Sequence, residues 1–351
     1  MARLLVAASG TGGHVFPALA VAENLPNYEI QWLGTPNRLE QSLLGDRYPF
    51  HTISVEGFQT RSPIKKIQIL LGLVASIFQV KKLLKEQKID VVFTTGGYIA
   101  SPAILAAKLS GIPAILHESN YIPGKVTKLL SRFCDTVALG FEGTAKYLPK
   151  IPTIWVSTPV RSQFYTPQPL ELNIPENALL IAVIGGSQGA VSVNKLVRQS
   201  VPSWLEMGAY VVHLTGKNDP DADSFKHPQY ISLPFYDNMA GLLQRANLAV
   251  SRAGSGTLTE LAITNTPAIL IPYPFAAEDH QSYNAKVFVD AEAAYVYSQK
   301  ELTTELLTES VLDLLKNPDK LKQMAEKTSE LAVIDSAEQL AELIKIKSNI
   351  K

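Results

Sequence analysis

Leu4-Leu5-Val6-Ala7-Ala8-Ser9-Gly10-Thr11-Gly12-Gly13-His14 and, in the second half of the chain, Leu179-Leu180-Ile181-Ala182-Val183-Ile184-Gly185-Gly186-Ser187-Gln188-Gly189-Ala190 decide the fold. Each is an apolar run of buried-strand character, then a glycine-rich turn, then a helical pattern. Such a turn lets backbone approach a ligand closely, and the following helix aims free N–H groups and a positive dipole end at it. The natural guest is a phosphate or diphosphate. The expected class is α/β, two Rossmann-like domains facing each other across a cleft.

The bulk properties fit a two-domain enzyme. A chain of 351 residues exceeds what one hydrophobic core usually supports, and 46% hydrophobic with 18% charged residues is ordinary for a globular protein. Basic and acidic residues balance at 32 each, which argues against a nucleic-acid partner held by bulk charge. The one cysteine, Cys134, excludes an intramolecular disulfide and a thiolate cluster for a metal, in keeping with a reducing compartment. The first apolar run is short and flows into the glycine turn, so it reads as a strand and not an export signal.

Outward from the first turn, apolar runs alternate with amphipathic stretches as in a parallel sheet with crossover helices. Strands are expected near residues 3–8, 29–33, 51–53, 91–93, 114–116, 136–139 and 153–156. Helices are expected near 17–25, 67–88, 102–109 and 125–131, with Pro17 and Pro102 in first turns where a missing N–H costs nothing. The second half repeats the alternation, with strands near 179–184, 210–214, 231–233, 248–250 and 268–271. The proline-spaced stretch 151–175 reads as a linker. The expected domains are 1–158, 159–334 and a C-terminal helix in 335–351, whose docking partner the pattern leaves open, a return to the first domain being one option.

Two nucleotide-binding readings fail. In the dinucleotide fingerprint G-x-G-x-x-G, Val15 would occupy the third glycine position, and the second strand ends Trp32-Leu33-Gly34 without the acid that holds an adenosine ribose. A P-loop needs a lysine that follows neither turn.

Further motifs stand in order along the chain: Thr95-Gly96-Gly97-Tyr98, His117-Glu118-Ser119-Asn120, Pro159-Val160-Arg161, Ser251-Arg252-Ala253-Gly254-Ser255-Gly256-Thr257-Leu258-Thr259-Glu260 and His280-Gln281-Ser282-Tyr283-Asn284-Ala285. Together with Gly10-Thr11-Gly12-Gly13-His14-Val15-Phe16-Pro17 and the second glycine turn, they make the chain resemble, over essentially its whole length, the MurG family. These are the bacterial peptidoglycan N-acetylglucosaminyltransferases of glycosyltransferase family 28, within the GT-B class.

The resemblance implies inverting transfer of N-acetylglucosamine from UDP-GlcNAc to the 4-hydroxyl of the N-acetylmuramic acid in undecaprenyl-diphosphate-linked muramyl pentapeptide (lipid I), giving lipid II for peptidoglycan synthesis. It implies a peripheral enzyme on the cytoplasmic face of the bacterial plasma membrane, with the UDP-sugar in the second domain and the acceptor in the first. In the second domain Ser187 and Gln188 would serve the diphosphate, with Ser255, Gly256 and Thr257 also at the UDP-sugar. Glu260 would take both ribose hydroxyls, Gln281 would donate to and accept from the sugar hydroxyls, and Tyr236 beside Phe235 would frame the uracil. Arg161, at the domain junction, suits a phosphate. In the first, Thr11, Gly12 and Gly13 would supply N–H groups to the acceptor diphosphate, with Tyr98 and Asn120 nearby. An inverting transfer needs a base for the acceptor hydroxyl and an electrostatic sink for the leaving UDP. His14 and Glu118 are the two candidates for the base. His14 is preferred because histidine exchanges its proton near neutral pH.

Plainer roles compete at several positions. His14 could cap or pack, His117 and Glu118 could serve as supporting hydrogen-bond partners, Glu260 could stabilise its helix start, and Arg161 could pair between domains. Asp221-Ala222-Asp223 has the form of a metal-diphosphate signature, but its setting among Asn218, Asp219, Pro220 and Pro228 reads as an exposed loop. No metal and no cofactor are expected.

Residues 61–88 carry Arg61, Lys65, Lys66, Lys81, Lys82, Lys85 and Lys88 against Glu86 alone. Between the basic clusters, 67–80 is mostly apolar, too short to span a bilayer, and suited to an anionic membrane surface. A core helix with a basic solvent face is the competing reading. The chain departs from the family at Ser9, where glycine is usual, at Ser119, and at Ser157-Thr158, where Gly-Asn is frequent. Other functions stay open: another GT-B enzyme using a UDP-sugar, such as a glycolipid synthase or a UDP-GlcNAc 2-epimerase, or a non-catalytic UDP-sugar-binding scaffold.

Overall fold

The structure is a computed structural model, and it describes residues 1–36, 39–55, 62–186 and 189–348. It divides into two units: 1–161 with 335–351, and 162–334. Pro159-Val160-Arg161 therefore goes with the first unit, and the stretch read as a linker contains a paired strand.

The first unit runs β1 (Ala2–Ala7), α1 (Gly12–Glu23), β2 (Tyr28–Gly34), α2 (Leu39–Leu44), β3 (Phe50–Thr52), α3 (Pro63–Glu86), β4 (Val91–Thr94), α4 (Ala100–Ser110), β5 (Ala114–Glu118), α5 (Lys125–Leu130), β6 (Thr136–Leu139) and β7 (Thr153–Trp155). Its seven strands lie in the order β3-β2-β1-β4-β5-β6-β7, all parallel. Leu4 of β1 stands between Ile30 and Val91. Both sheet faces are covered, so the strands are continuous apolar runs with no alternation. Leu4, Leu5, Val6 and Ala7 are all fully buried.

The second unit runs β8 (Leu180–Ile184), α6 (Val191–Glu206), β9 (Tyr210–Leu214), β10 (Tyr230–Leu233), α7 (Met239–Arg245), β11 (Leu248–Ser251), α8 (Ser255–Ile263), β12 (Ala268–Leu270), α9 (His280–Asp290), β13 (Ala294–Val296), α10 (Thr304–Lys316) and α11 (Pro318–Ser329). Its six parallel strands are ordered β10-β9-β8-β11-β12-β13. In each sheet the order reverses beside the first strand of the unit, between β1 and β4 and between β8 and β11. Ligands of doubly wound sheets bind at the carboxyl ends of the strands at that switch point. Both glycine turns stand there.

α12 (Ser336–Ser348) belongs to the first unit. It packs on α1, with Leu340, Ala341 and Ile344 in the same core cluster as Leu4 and Val6, and the Tyr28 hydroxyl meets Ser348 Oγ at 2.6 Å.

Two helix expectations need correction. Pro17 is interior to α1, which begins at Gly12; the glycine turn starts the helix, and Pro17 gives up only the N–H that would have reached Gly13. Pro102 does lie in the first turn of α4. α3 is longer than the apolar stretch 67–80: Ser62 caps it, its hydroxyl accepting from Lys65 N, and Pro63 opens it. At 24 residues the helix is long and apolar enough to cross a membrane by length and composition. One face nevertheless packs on its own unit, burying Ser76, Val80 and Leu84.

Candidate active site

In the first unit the motif residues converge at the ends of β1, β4 and β5. Thr11 caps α1 by backbone alone, its carbonyl accepting from His14 N and Val15 N. The Gly12 and Gly13 amides open the helix and have no intrahelical acceptor. His14 and Thr95 are tied twice: His14 Nδ1 lies 2.7 Å from the Thr95 carbonyl, and Thr95 Oγ1 donates to the His14 carbonyl at 2.9 Å. A carbonyl only accepts, so Nδ1 carries the proton and Nε2 presents its lone pair. The ring lies over Gly96 and Gly97, whose positive φ values (93° and 73°) favour glycine. A Cβ on Gly97 would stand 3.6 Å from His14 Nε2. Tyr98 is exposed beside this turn.

Glu118 is spent differently. Buried at the end of β5, its Oε1 accepts from Asn120 N (3.0 Å) and Asn120 Nδ2 (3.3 Å), and its Oε2 from Gly124 N (2.9 Å) and Thr127 Oγ1 (2.6 Å). Both oxygens are committed to the loop that carries Asn120. His117 is buried with Nε2 2.9 Å from the Ser157 carbonyl, and burial pulls its pKa down. Ser157 itself has φ 63°, which accounts for the glycine common there in the family. The Arg161 guanidinium lies 4.4 Å from the Phe16 ring centre, so Pro159-Val160-Arg161 reaches α1.

A residue the sequence reading missed stands behind the first turn. Glu40 is fully buried and accepts from Ser9 Oγ (2.5 Å), Thr35 N (3.0 Å) and Gly10 N (3.2 Å), with the Thr35 hydroxyl 3.3 Å away. Burial opposes its charge, yet these bonds hold its pKa below the usual value.

In the second unit, Ser187 and Gln188 fall outside the described residues. Around them, Gly189 has φ 78°, and a Cβ there would run into the Thr215 carbonyl. Asn194, in the first turns of α6, donates to that carbonyl (2.8 Å) and to Asp219 (2.7 Å). Asp219 is gripped by Arg198 through both terminal guanidinium nitrogens (2.7 and 3.2 Å). Since Asn194 Nδ2 faces two acceptors, its Oδ1 must accept, here from His213 Nε2 at 3.1 Å. His213 Nδ1 then accepts from the Tyr230 hydroxyl at 2.8 Å. Burial pulls the His213 pKa down to about 3, so the ring stays neutral. Asp221, of the sequence Asp221-Ala222-Asp223, reaches Arg198 at 3.9 Å. Among the described residues no group of three or more His, Cys, Asp or Glu stands together as a metal site.

The loop after β11 and the start of α9 meet at Ala253. Gln281 Oε1 accepts from Ala253 N (3.2 Å) and Tyr273 N (2.9 Å), and Asn284 Nδ2 donates to Ala253 O. Gln281 therefore offers a ligand its amide N–H groups, its oxygen being occupied, whereas the sequence reading gave it both roles. Just before it, Glu278 and Asp279 both hold left-handed backbone (φ 54° and 55°). α8 starts on Gly254 with no side-chain cap, leaving the Ser255, Gly256 and Thr257 amides at its head, with Glu260 one turn further on. Arg252 is consumed as scaffold, donating to Ile271 O, Pro272 O and Gln299. A cavity of about 460 Å³ opens beside Gly189 and Ala190, lined also by Arg252, Tyr273 and Phe275. Tyr236 follows β10, half-buried beside exposed Phe235.

Residues 4–139 match the model of the glycosyltransferase family 28 N-terminal domain and residues 180–340 that of the family 28 C-terminal domain. The chain belongs to glycosyltransferase family 28. Within the family it is 82% identical over 345 residues to a protein of Crocosphaera subtropica named UDP-N-acetylglucosamine--N-acetylmuramyl-(pentapeptide) pyrophosphoryl-undecaprenol N-acetylglucosamine transferase, covering 98% of this chain and 99% of the relative. The crystal structure of Acinetobacter baumannii MurG superposes with a TM-score of 0.79 at 31% identity, covering 99% of this chain and all of that one. The UDP-GlcNAc 2-epimerase of Neisseria meningitidis shares the fold at 15% identity (TM-score 0.68, 98% and 100% covered). The two Rossmann-like units are those of a GT-B fold.

Proposed function

We propose that this chain transfers N-acetylglucosamine from UDP-GlcNAc to the 4-hydroxyl of N-acetylmuramic acid in undecaprenyl-diphosphate-linked muramyl pentapeptide, inverting the anomeric carbon. The observation that carries the reading is 82% identity over 98% of the chain to a transferase of that name.

The chemistry divides between the units. His14, its Nδ1–H held by Thr95, takes the acceptor's 4-hydroxyl proton on Nε2 as that oxygen attacks the anomeric carbon. The C–O bond to UDP breaks, and its electron pair leaves on the diphosphate. The uncapped amides of Ser255, Gly256 and Thr257, together with Arg161, neutralise that charge. Glu260 holds the ribose hydroxyls, Tyr236 frames the uracil, Gln281 donates to a sugar hydroxyl, and Ser187 and Gln188 serve the diphosphate. Thr11, Gly12 and Gly13 receive the acceptor diphosphate, with Tyr98 and Asn120 beside it. Glu118 holds the Asn120 loop.

The enzyme reaches its lipid-linked acceptor at an anionic membrane surface through α3, on the cytoplasmic face. Ile64, Ile67, Leu71, Val74 and Phe78 recur at spacings of three and four on its outer face, all exposed. Lys65 and Lys66 stand at one end of this stripe and Lys81, Lys82 and Lys85 at the other, the pattern of an interfacial helix.

Incubation of labelled UDP-GlcNAc with a lipid I analogue should give a labelled disaccharide lipid and UDP. Hydrolysis or 2-epimerisation without acceptor, in place of transfer, would refute the reading. Replacing Lys65, Lys66, Lys81 and Lys82 by glutamine should release the protein from anionic vesicles, each charge contributing about 1 kcal/mol, and leave turnover of a water-soluble acceptor intact.

A further inference from the structure

We propose that Glu40 is a positioning residue of the first glycine turn, holding the Ser9–Gly10 peptide so that the Gly12 and Gly13 amides meet the acceptor diphosphate. This rests on the reading that the turn serves the acceptor.

Glu40 comes from α2, outside every motif that identifies the family, yet its side chain is wholly enclosed. Its Oε1 takes the Ser9 hydroxyl at 2.5 Å and the Thr35 amide at 3.0 Å, and its Oε2 takes the Gly10 amide at 3.2 Å. The Thr35 hydroxyl closes the ring by meeting Ser9 Oγ at 2.6 Å. One carboxylate thus pins the turn after β1 to the turn after β2. Gly34 is built around it: a Cβ at Gly34 would stand 2.9 Å from Glu40 Oε1 and closer still to the Phe50 ring. Gly10, with φ 102°, is the residue whose peptide the carboxylate fixes, and Thr11 and the α1 amides follow directly. Among the described residues no Lys, Arg or His is paired with Glu40.

That arrangement is unexpected behind a turn meant for an anion. A carboxylate there repels a diphosphate and takes the Gly10 N–H out of the set available to it, so it earns its place by geometry and not by charge. The two effects have opposite signs. If charge alone mattered, Glu40→Gln would tighten acceptor binding. If position matters, it weakens it, because whichever way the amide is turned, its NH2 faces either the Thr35 N–H or the Gly10 N–H, donor against donor. Ser9→Ala is the milder variant: it removes the shortest bond and keeps the carboxylate.

The test is steady-state kinetics on the full chain, with a lipid I analogue and UDP-GlcNAc each varied in turn, alongside thermal unfolding. Glu40→Gln should raise the acceptor KM about tenfold and Ser9→Ala about threefold, the scale of one buried hydrogen bond, with the UDP-GlcNAc KM within about twofold of the parent. An acceptor KM that falls, or that stays unchanged in folded variants, overturns the proposal and leaves the acceptor's place at the turn standing. A rise in the UDP-GlcNAc KM alone overturns the premise that this turn serves the acceptor. Should Glu40→Gln fail to fold, Ser9→Ala decides between the same outcomes.

Discussion

Two glycine turns of the same outline are supported in opposite ways. Behind the turn after β8, Asn194, Asp219, Arg198, His213 and Tyr230 form a closed network in which the buried carboxylate is matched by a guanidinium. Among the described residues, the buried carboxylate of Glu40 behind the turn after β1 is matched by neutral N–H and O–H groups, and the motif ends in His14, whose Nδ1 is held by the Thr95 carbonyl. Under the proposed function, the second turn binds and does not react, and the histidine stands at the turn beside which a proton moves. Similar sequence outlines thus rest on different supports, and the supporting carboxylates, Glu40 and Asp219, come from outside both glycine motifs.

Breaking the charge match behind the second turn should produce the largest loss of stability. Asp219→Ala leaves Arg198 buried without its carboxylate and should cost about 3–5 kcal/mol in chemical denaturation, whereas a loss under about 1 kcal/mol would mean the network is ornamental. Gly189→Ala pushes a methyl onto the Thr215 carbonyl in a left-handed conformation. It should cost about 3 kcal/mol and weaken UDP-GlcNAc binding in calorimetry. An unchanged affinity would separate this turn from the sugar donor.

The two turns should also differ in acid. His213 has its pKa depressed to about 3, so between pH 6.5 and 3 the unfolded chain binds the proton that the folded one refuses. Its stabilising contribution is complete above about pH 6.5 and is lost as pH falls toward 3. Replacing it by glutamine should flatten the stability profile between pH 6.5 and 4.5 by about 2 kcal/mol. Glu40 and Asp219, whose pKa values are also depressed, add their loss only below about pH 4. The smallest effect is expected away from both turns: Ser157→Gly relieves the left-handed backbone at φ 63° and should stabilise by about 0.5 kcal/mol without moving either KM.

Most of the sheet framework was legible because parallel strands buried on both faces leave continuous apolar runs: Leu4–Ala7 and Leu180–Ile184 could hardly be anything else. β13, Ala294–Val296 at an edge of the second sheet, was missed. The start of α1 was misplaced because Pro17 looked like an opening residue, when the glycine turn had already begun the helix. The motif residues were legible as a family resemblance. Glu40, Asn194, Arg198 and Asp219 were not, since their importance comes from what the fold brings next to the glycines, and no local spacing announces that. Glu118 looked like an alternative base from sequence, and only its four hydrogen bonds reveal that both oxygens are engaged.

The proposed base of the first turn is His14, and the most direct test compares His14→Gln with the parent. Glutamine can still donate to Thr95 but cannot take a proton. Turnover with saturating lipid I analogue should fall by about a thousandfold while calorimetric affinity for UDP-GlcNAc stays the same. Turnover within about threefold of the parent at neutral pH would contradict the account and move the proton transfer away from this turn.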